Sequence, residues 1–172
     1  MQPEATYRQA VSAAPHPLAE LLACPPETGR LLNGSARYVE VSAGETVFRQ
    51  AAKCEGLYVV AAGQLVRKAE RKQARLTLGR VKAGELVELA AVLGDEHHTY
   101  TLTALTASSL LLLPIASLQH AFEAYPPLRM QLLEELAREV SRAYNACRIT
   151  RMMVARHRGS PVATGMKAGS AS

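Results

Sequence analysis

Gly84-Glu85-Leu86-Val87-Glu88-Leu89-Ala90-Ala91-Val92-Leu93-Gly94-Asp95-Glu96-His97-His98-Thr99-Tyr100-Thr101-Leu102-Thr103-Ala104 is the stretch that decides the fold. A Gly-acid pair opens it. Glu88-Leu89-Ala90 and a short apolar run follow, consistent with one or two helical turns. Gly94-Asp95 then breaks the run. From Thr99 onward threonines alternate with Tyr100, Leu102 and Ala104, the period of a half-buried strand. The order is therefore turn, short helix, turn, strand.

The same alternation extends to both sides. Val39 and Val41 share one face of a strand that begins at Arg37, with Tyr38 and Glu40 on the other. Ala43-Gly44-Glu45 is a turn, and Thr46–Arg49 a second strand. Leu57–Ala61, Gln64–Arg67 and a segment marked by Leu76 and Leu78 supply three more. Leu110–Leu113 is a continuous apolar strand that Pro114 stops. Short strands at intervals near eight to twelve residues point to a sandwich or roll. Gly44, Gly56 and Gly63 are expected at tight turns with positive φ.

Helical spacing flanks this region. Pro17–Leu22 suits a short helix, and Pro25-Pro26-Glu27 opens a second that ends near Asn33-Gly34. Beyond Pro114, Ile115, Leu118 and Phe122 share a face. Pro126-Pro127 starts the longest helix, expected to run to about Arg156. Leu133, Val140, Cys147 and Val154 recur every seven residues on it, with Leu136 and Ala143 in the alternate position. Arg129 and Thr150 break the pattern at the two ends, so the seam expected is that of a short, imperfect parallel coiled coil.

The fold expected is mainly β with flanking helices: a double-stranded β-helix, or jelly-roll-like β-roll, followed by a long C-terminal dimerisation helix. Residues 1–16 are expected to be disordered, residues 17–156 to form the domain, and residues 157–172 to be a disordered tail.

Composition narrows the function. The chain has 172 residues, 48% apolar, with no Trp and two Phe, so its core is aliphatic. Its longest aliphatic runs, Leu89–Leu93 and Leu110–Leu113, are far below membrane-spanning length. No secretory h-region precedes Ala10. A cytoplasmic protein without membrane attachment is expected. Cys24, Cys54 and Cys147 are scattered with no metal-binding spacing, so neither zinc nor an iron–sulfur cluster is expected. No nucleophile elbow surrounds any serine, and no catalytic constellation is visible, so the chain is not read as an enzyme.

The formal charge of +5 is uneven. Fifteen cations and fifteen acids balance through residue 147, and Arg148, Arg151, Arg156, Arg158 and Lys167 carry the excess. Arg67, Lys68, Arg71, Lys72, Arg75, Arg80 and Lys82 make a basic hairpin without interleaved aromatics, which reads as a solvated loop. Arg158 is followed by Gly159-Ser160-Pro161 and small residues, with no groove-reading helix. Sequence-specific DNA binding is not expected.

The order Ala43-Gly44-Glu45-Thr46-Val47-Phe48, then Gly56-Leu57-Tyr58-Val59-Val60, then Gly63, together with residues 84–104, resembles the cyclic-nucleotide-binding domain of Crp/Fnr-type regulators. The resemblance covers roughly residues 17–150. It implies a ligand cassette of Gly84, Glu88, Leu89, Ala90, His98 and Thr99. Glu88 stands at the family's ribose-binding carboxylate. His98 stands where the family carries the Arg that forks onto the phosphate, and Val87 replaces a Gly. The Gly84-to-Glu88 interval is one residue short of the family pattern.

An imidazole cannot form the guanidinium fork, and has two donors only when protonated, below about pH 6.5 for an unperturbed ring. Binding of cyclic AMP or cyclic GMP is therefore expected to be weak or absent, and to tighten in His98→Arg. A plain polar turn is the other reading of His97-His98, with haem ligation resting on the pair alone. The function implied is a stand-alone sensor or regulatory domain of Crp/Fnr type, as a homodimer or a heterodimer with a related regulator. The alternative is a ligand-free dimerisation module that acts through its long helix. Leu133, Leu136, Val140 and Cys147 are the expected seam.

Overall fold

The computed structural model describes the backbone of residues 6–9, 18–71 and 74–158, and the side chains of residues 18–70 and 75–145. In chain order the elements are β1 (Thr6–Gln9), α1 (Leu18–Leu21), α2 (Pro26–Ser35), β2 (Arg37–Val41), β3 (Thr46–Phe48), β4 (Gly56–Ala62) and β5 (Gln64–Arg71). They continue with β6 (Ala74–Lys82), β7 (Leu86–Val87), α3 (Leu89–Leu93), β8 (Thr101–Ala104), β9 (Ser108–Pro114), α4 (Ile115–Ala124) and α5 (Pro127–Arg158). The strands form two antiparallel sheets, ordered β1-β2-β9-β4-β7 and β3-β8-β5-β6. This is the expected β-roll with flanking helices.

The apolar runs of β4 and β9 explain why these strands lie inside the larger sheet. In β9, Leu110 and Leu112 face the second sheet, while Leu111 and Leu113 face the helices. In β4, Tyr58 and Val60 face inward, and Leu57 and Val59 outward. A strand buried on both faces has no position for a polar residue, so it reads as a continuous apolar run.

Two cores result. Between the sheets lie Val39, Val41, Val47, Phe48, Tyr58, Leu65, Val81, Val87, Tyr100 and Leu102. On the outer face of the larger sheet lie Leu18, Leu22, Leu32, Leu89, Leu118, Leu128 and Leu132.

Several boundaries differ from the sequence expectations, each for a local reason. Thr6–Gln9, expected to be disordered, pairs with β2 through backbone hydrogen bonding and needs no apolar alternation to do so. The remainder of 1–16 lies outside the described residues, as do 159–172 of the expected tail and the side chain of Cys147. The hairpin strands β5 and β6 run longer than expected because their ladder continues past the core: Leu76 and Leu78 are exposed. Helix α2 passes over Gly34, which nothing crowds.

Gly44 and Gly63 do have positive φ, but Gly56 does not. Gly56 starts β4, opposite Pro114, and a Cβ there would meet the Leu113 carbonyl oxygen at 2.0 Å. Its role is close backbone approach within the doubly buried strand pair, not a turn.

Two glycine substitutions should therefore have opposite signs. Gly56→Ala should destabilise the chain by about 3 kcal/mol in urea titration, because two paired strands must separate. Gly34→Ala, at an open helical position, should stabilise it by about 0.5 kcal/mol. Equal effects would mean that Gly56 is not held against Leu113.

Candidate ligand cassette

The cassette begins where β6 turns back. Gly84 takes φ 87°, and the Glu85 Oε2 accepts the Lys82 N–H at 2.9 Å. The Gly84 N–H donates to the Val60 carbonyl at 2.9 Å, and the Val60 N–H to the Glu85 carbonyl at 3.1 Å. Residues 43–45 repeat the device. Gly44 has φ 87°, Glu45 Oε2 accepts the Ser42 N–H, and Gly44 and Glu45 exchange hydrogen bonds with Ala104. Ala-Gly-Glu is thus one turn used twice, with the Glu capping the turn. It is too short to register as a sequence repeat.

After this turn β7 pairs with β4, with Leu86 opposite Val59 and Val87 opposite Tyr58. Val87 is buried in the inter-sheet core. Glu88 then adopts φ 75°, ψ 30° and caps α3 with its carbonyl, which accepts the Val92 N–H at 3.0 Å. A left-handed conformation costs a non-glycine residue about 1–2 kcal/mol, so its surroundings must hold it. Its side chain makes no capping hydrogen bond. It points inward instead, with 0% of its side chain exposed, and Oε1 lies 3.6 Å from His98 Nδ1.

His98 is held equally firmly. Its side chain is 2% exposed, and its ring lies flat on Phe48, 3.8 Å between centroids and 5° between planes. The Tyr58 ring is 6.3 Å away. Its backbone is fastened to the loop after β3: the His98 N–H donates to Ala52 O at 2.9 Å, and His98 O accepts the Ala51 N–H at 2.8 Å. Cys54 N–H donates to Glu96 O at 2.8 Å in the same ladder.

The six expected cassette residues do not converge on one point. Glu88 and His98 meet. Leu89 packs into the helical-side core, and Ala90 is half-buried. Gly84 and Thr99 are exposed, as is His97, whose ring nitrogen Nδ1 lies 2.8 Å from the Asp95 carbonyl oxygen.

Phe48 and Tyr58 were not read from the sequence as cassette residues. No alternation singles them out, since Val47 and Phe48 both enter the inter-sheet core and Tyr58 lies in the continuous apolar run of β4. The pairing of β3 with β8, continued by the Ala51 and Ala52 hydrogen bonds, brings Phe48 under His98.

On α5, Leu128 and Leu132 are buried in the body and Leu136 is partly buried against the same core, while Leu133 and Val140 are exposed. Leu136 therefore packs against its own domain rather than lying free in the seam.

Cys54 is buried beside this site, its thiol donating to Gly56 O at 3.2 Å. Burial pushes the thiol up to about 11, with the negative charges of Glu88, Glu96 and Glu55 adding to the shift. Among the described residues no group of three or more His, Cys, Asp or Glu is placed to hold a metal ion. No described helix is long and apolar enough to cross a membrane.

The family model for the cyclic nucleotide-binding domain matches residues 38–125. The chain belongs to this family. Its fold is similar to the N-terminal domain of a transcriptional regulator from Streptomyces coelicolor A3(2), at 28% identity and TM-score 0.57, over 76% of this chain and 90% of that one. It is also similar to the sensor domain of the transcriptional regulator DNR from Pseudomonas aeruginosa (20% identity, TM-score 0.63, 76% and 87% covered). A third similar structure is the Thermus thermophilus catabolite activator protein (22% identity, TM-score 0.66, 79% and 63% covered). No curated protein matches the chain. The cyclic nucleotide-binding domain is thus related to the sensor domains of transcriptional regulators, as the motif order implied.

The Cys54 thiol generates a pH prediction. Its folded value lies above the ordinary 9.0, so its contribution is complete below about pH 9 and is lost as pH rises through about 11. A shift of that size corresponds to roughly 2–3 kcal/mol. Urea midpoints measured at pH 8 and pH 11 should differ less in Cys54→Ala than in the wild type. An equal drop in both would remove Cys54 as the cause.

Proposed function

We propose that the chain is a sensor or regulatory domain of Crp/Fnr type whose cassette is degenerate, and that it binds cyclic nucleotides weakly or not at all. The carrying observation is the fate of Glu88. A carboxylate that is to accept a ribose hydroxyl must face its ligand, whereas this one is fully buried against His98. The cassette segment 84–99 also contains no Arg or Lys to answer a phosphate. As arranged, these residues do not fit a cyclic nucleotide.

Losing a charge-assisted bidentate contact costs about 1.5–3 kcal/mol, or roughly ten- to a hundredfold in affinity. Titration calorimetry with cyclic AMP and cyclic GMP should accordingly show no binding tighter than the high micromolar range. A submicromolar constant for either would overturn the degenerate reading and return the domain to nucleotide sensing.

A second reading, association through the long helix, is favoured by a specific feature. Met130, Leu133, Val140 and Tyr144 are large apolar side chains exposed on α5, and Leu133 and Val140 are seven residues apart. An apolar stripe on a helix calls for a partner. We read that partner as a second copy of the chain, with a related regulator as the alternative. Leu133→Glu combined with Val140→Glu should convert a dimer to a monomer in light scattering at tens of micromolar. A wild type already monomeric there would refute the homodimer.

A further inference from the structure

Among the described residues four non-glycine positions have positive φ: Ala23, Ala51, Glu88 and Glu96. Of these only Glu88 is buried. It combines three costs: a left-handed backbone, a carboxylate removed from water, and no hydrogen bond from any described residue to Oε1 or Oε2. The basic group that meets it is His98, itself buried, with no hydrogen bond to Nδ1 among the described residues. A buried carboxylate is tolerated only when paired, and losing one partner of such a pair is far more damaging than losing both.

The imidazole cannot simply swing away. Phe48 covers one of its faces, and its backbone is fastened on both sides to Ala51 and Ala52. Moving the His98 backbone out of this position requires separating the loop at residues 51–54 from the segment 96–98.

We propose that the Glu88–His98 contact is an autoinhibitory latch. It commits the one carboxylate that a ribose-bearing ligand would need to an imidazole of the same chain, so the latched and ligand-accepting states exclude each other. The proposal rests on reading residues 84–99 as the ligand cassette. Phe48 is the platform that holds the latch closed. The substitution of an imidazole at the arginine position thereby does more than remove a phosphate contact. It supplies an internal occupant for the carboxylate.

The test of the contact itself needs no ligand, so its failure is separate from a failure of nucleotide binding; only the exclusion is read with one. The full native chain is treated with diethyl pyrocarbonate at pH 7, and carbethoxylation of each histidine is followed by mass spectrometry. Exposed His97 and His120 serve as references within the same molecule. His98 should react at least tenfold more slowly than His97. Glu88→Gln should raise the His98 rate at least fivefold, with both reference rates and the far-UV circular dichroism unchanged. If that variant loses its dichroism, Glu88→Asp replaces it under the same criterion, because Asp tolerates the left-handed conformation.

A His98 as reactive as His97 in the wild type, or a rate indifferent to residue 88, would overturn the latch. Its autoinhibitory character is read separately, by titrating cyclic AMP into His98→Ser. Affinity should rise at least tenfold over the wild type, and no rise would overturn the exclusion.

Discussion

The pairing of β4 with β9 is the constraint on which the rest depends. Both strands are buried on both faces, so each contributes alternate side chains to the inter-sheet core and to the helical-side core. Their backbones approach so closely at Gly56 and Leu113 that no Cβ fits. Once β4 is fixed, β7 can pair only along its free edge, at Tyr58 and Val59. That pairing fixes where Glu88 leaves the sheet. The position of the cassette therefore follows from strand packing before any ligand chemistry is involved.

The cassette's chemistry follows from its second anchor. The loop at 51–54 fastens segment 96–98 through three backbone hydrogen bonds, which carries His98 over Phe48 and against Glu88. Two protein segments more than forty residues apart thus clamp one imidazole. The resulting polar contact is buried, with the Phe48 and Tyr58 rings beside the imidazole, a setting in which losing one partner costs more than losing both. The Glu88 carboxylate is thereby turned toward the protein interior rather than toward solvent.

Much of the architecture was legible in the sequence. Period-two alternation marked β2 and β8, the continuous run of leucines marked β9, and the Pro/Gly punctuation marked the helices. Three things were not. Thr6–Gln9 carries no alternating pattern, because an edge strand can be held by its backbone alone. Gly56 resembled a turn glycine, because the sequence does not show how near another backbone will come. Leu136 fitted a heptad, but its face of α5 is shared with the body through the Leu128–Leu132 stripe. In the cassette, the identities of Glu88 and His98 were visible and their mutual burial was not. Ten residues of separation do not state which way either side chain turns, and Phe48 enters only through the pairing of β3 with β8.

The central claim is that Glu88 and His98 stabilise the fold as a pair. A double-mutant cycle in urea with Glu88→Gln, His98→Gln and the combined variant measures this directly. The expected result is that each single substitution destabilises strongly while the second adds little, with a coupling of about 1–3 kcal/mol. Additive losses, with no coupling beyond experimental scatter, would contradict the claim and leave two buried polar residues that merely lie side by side.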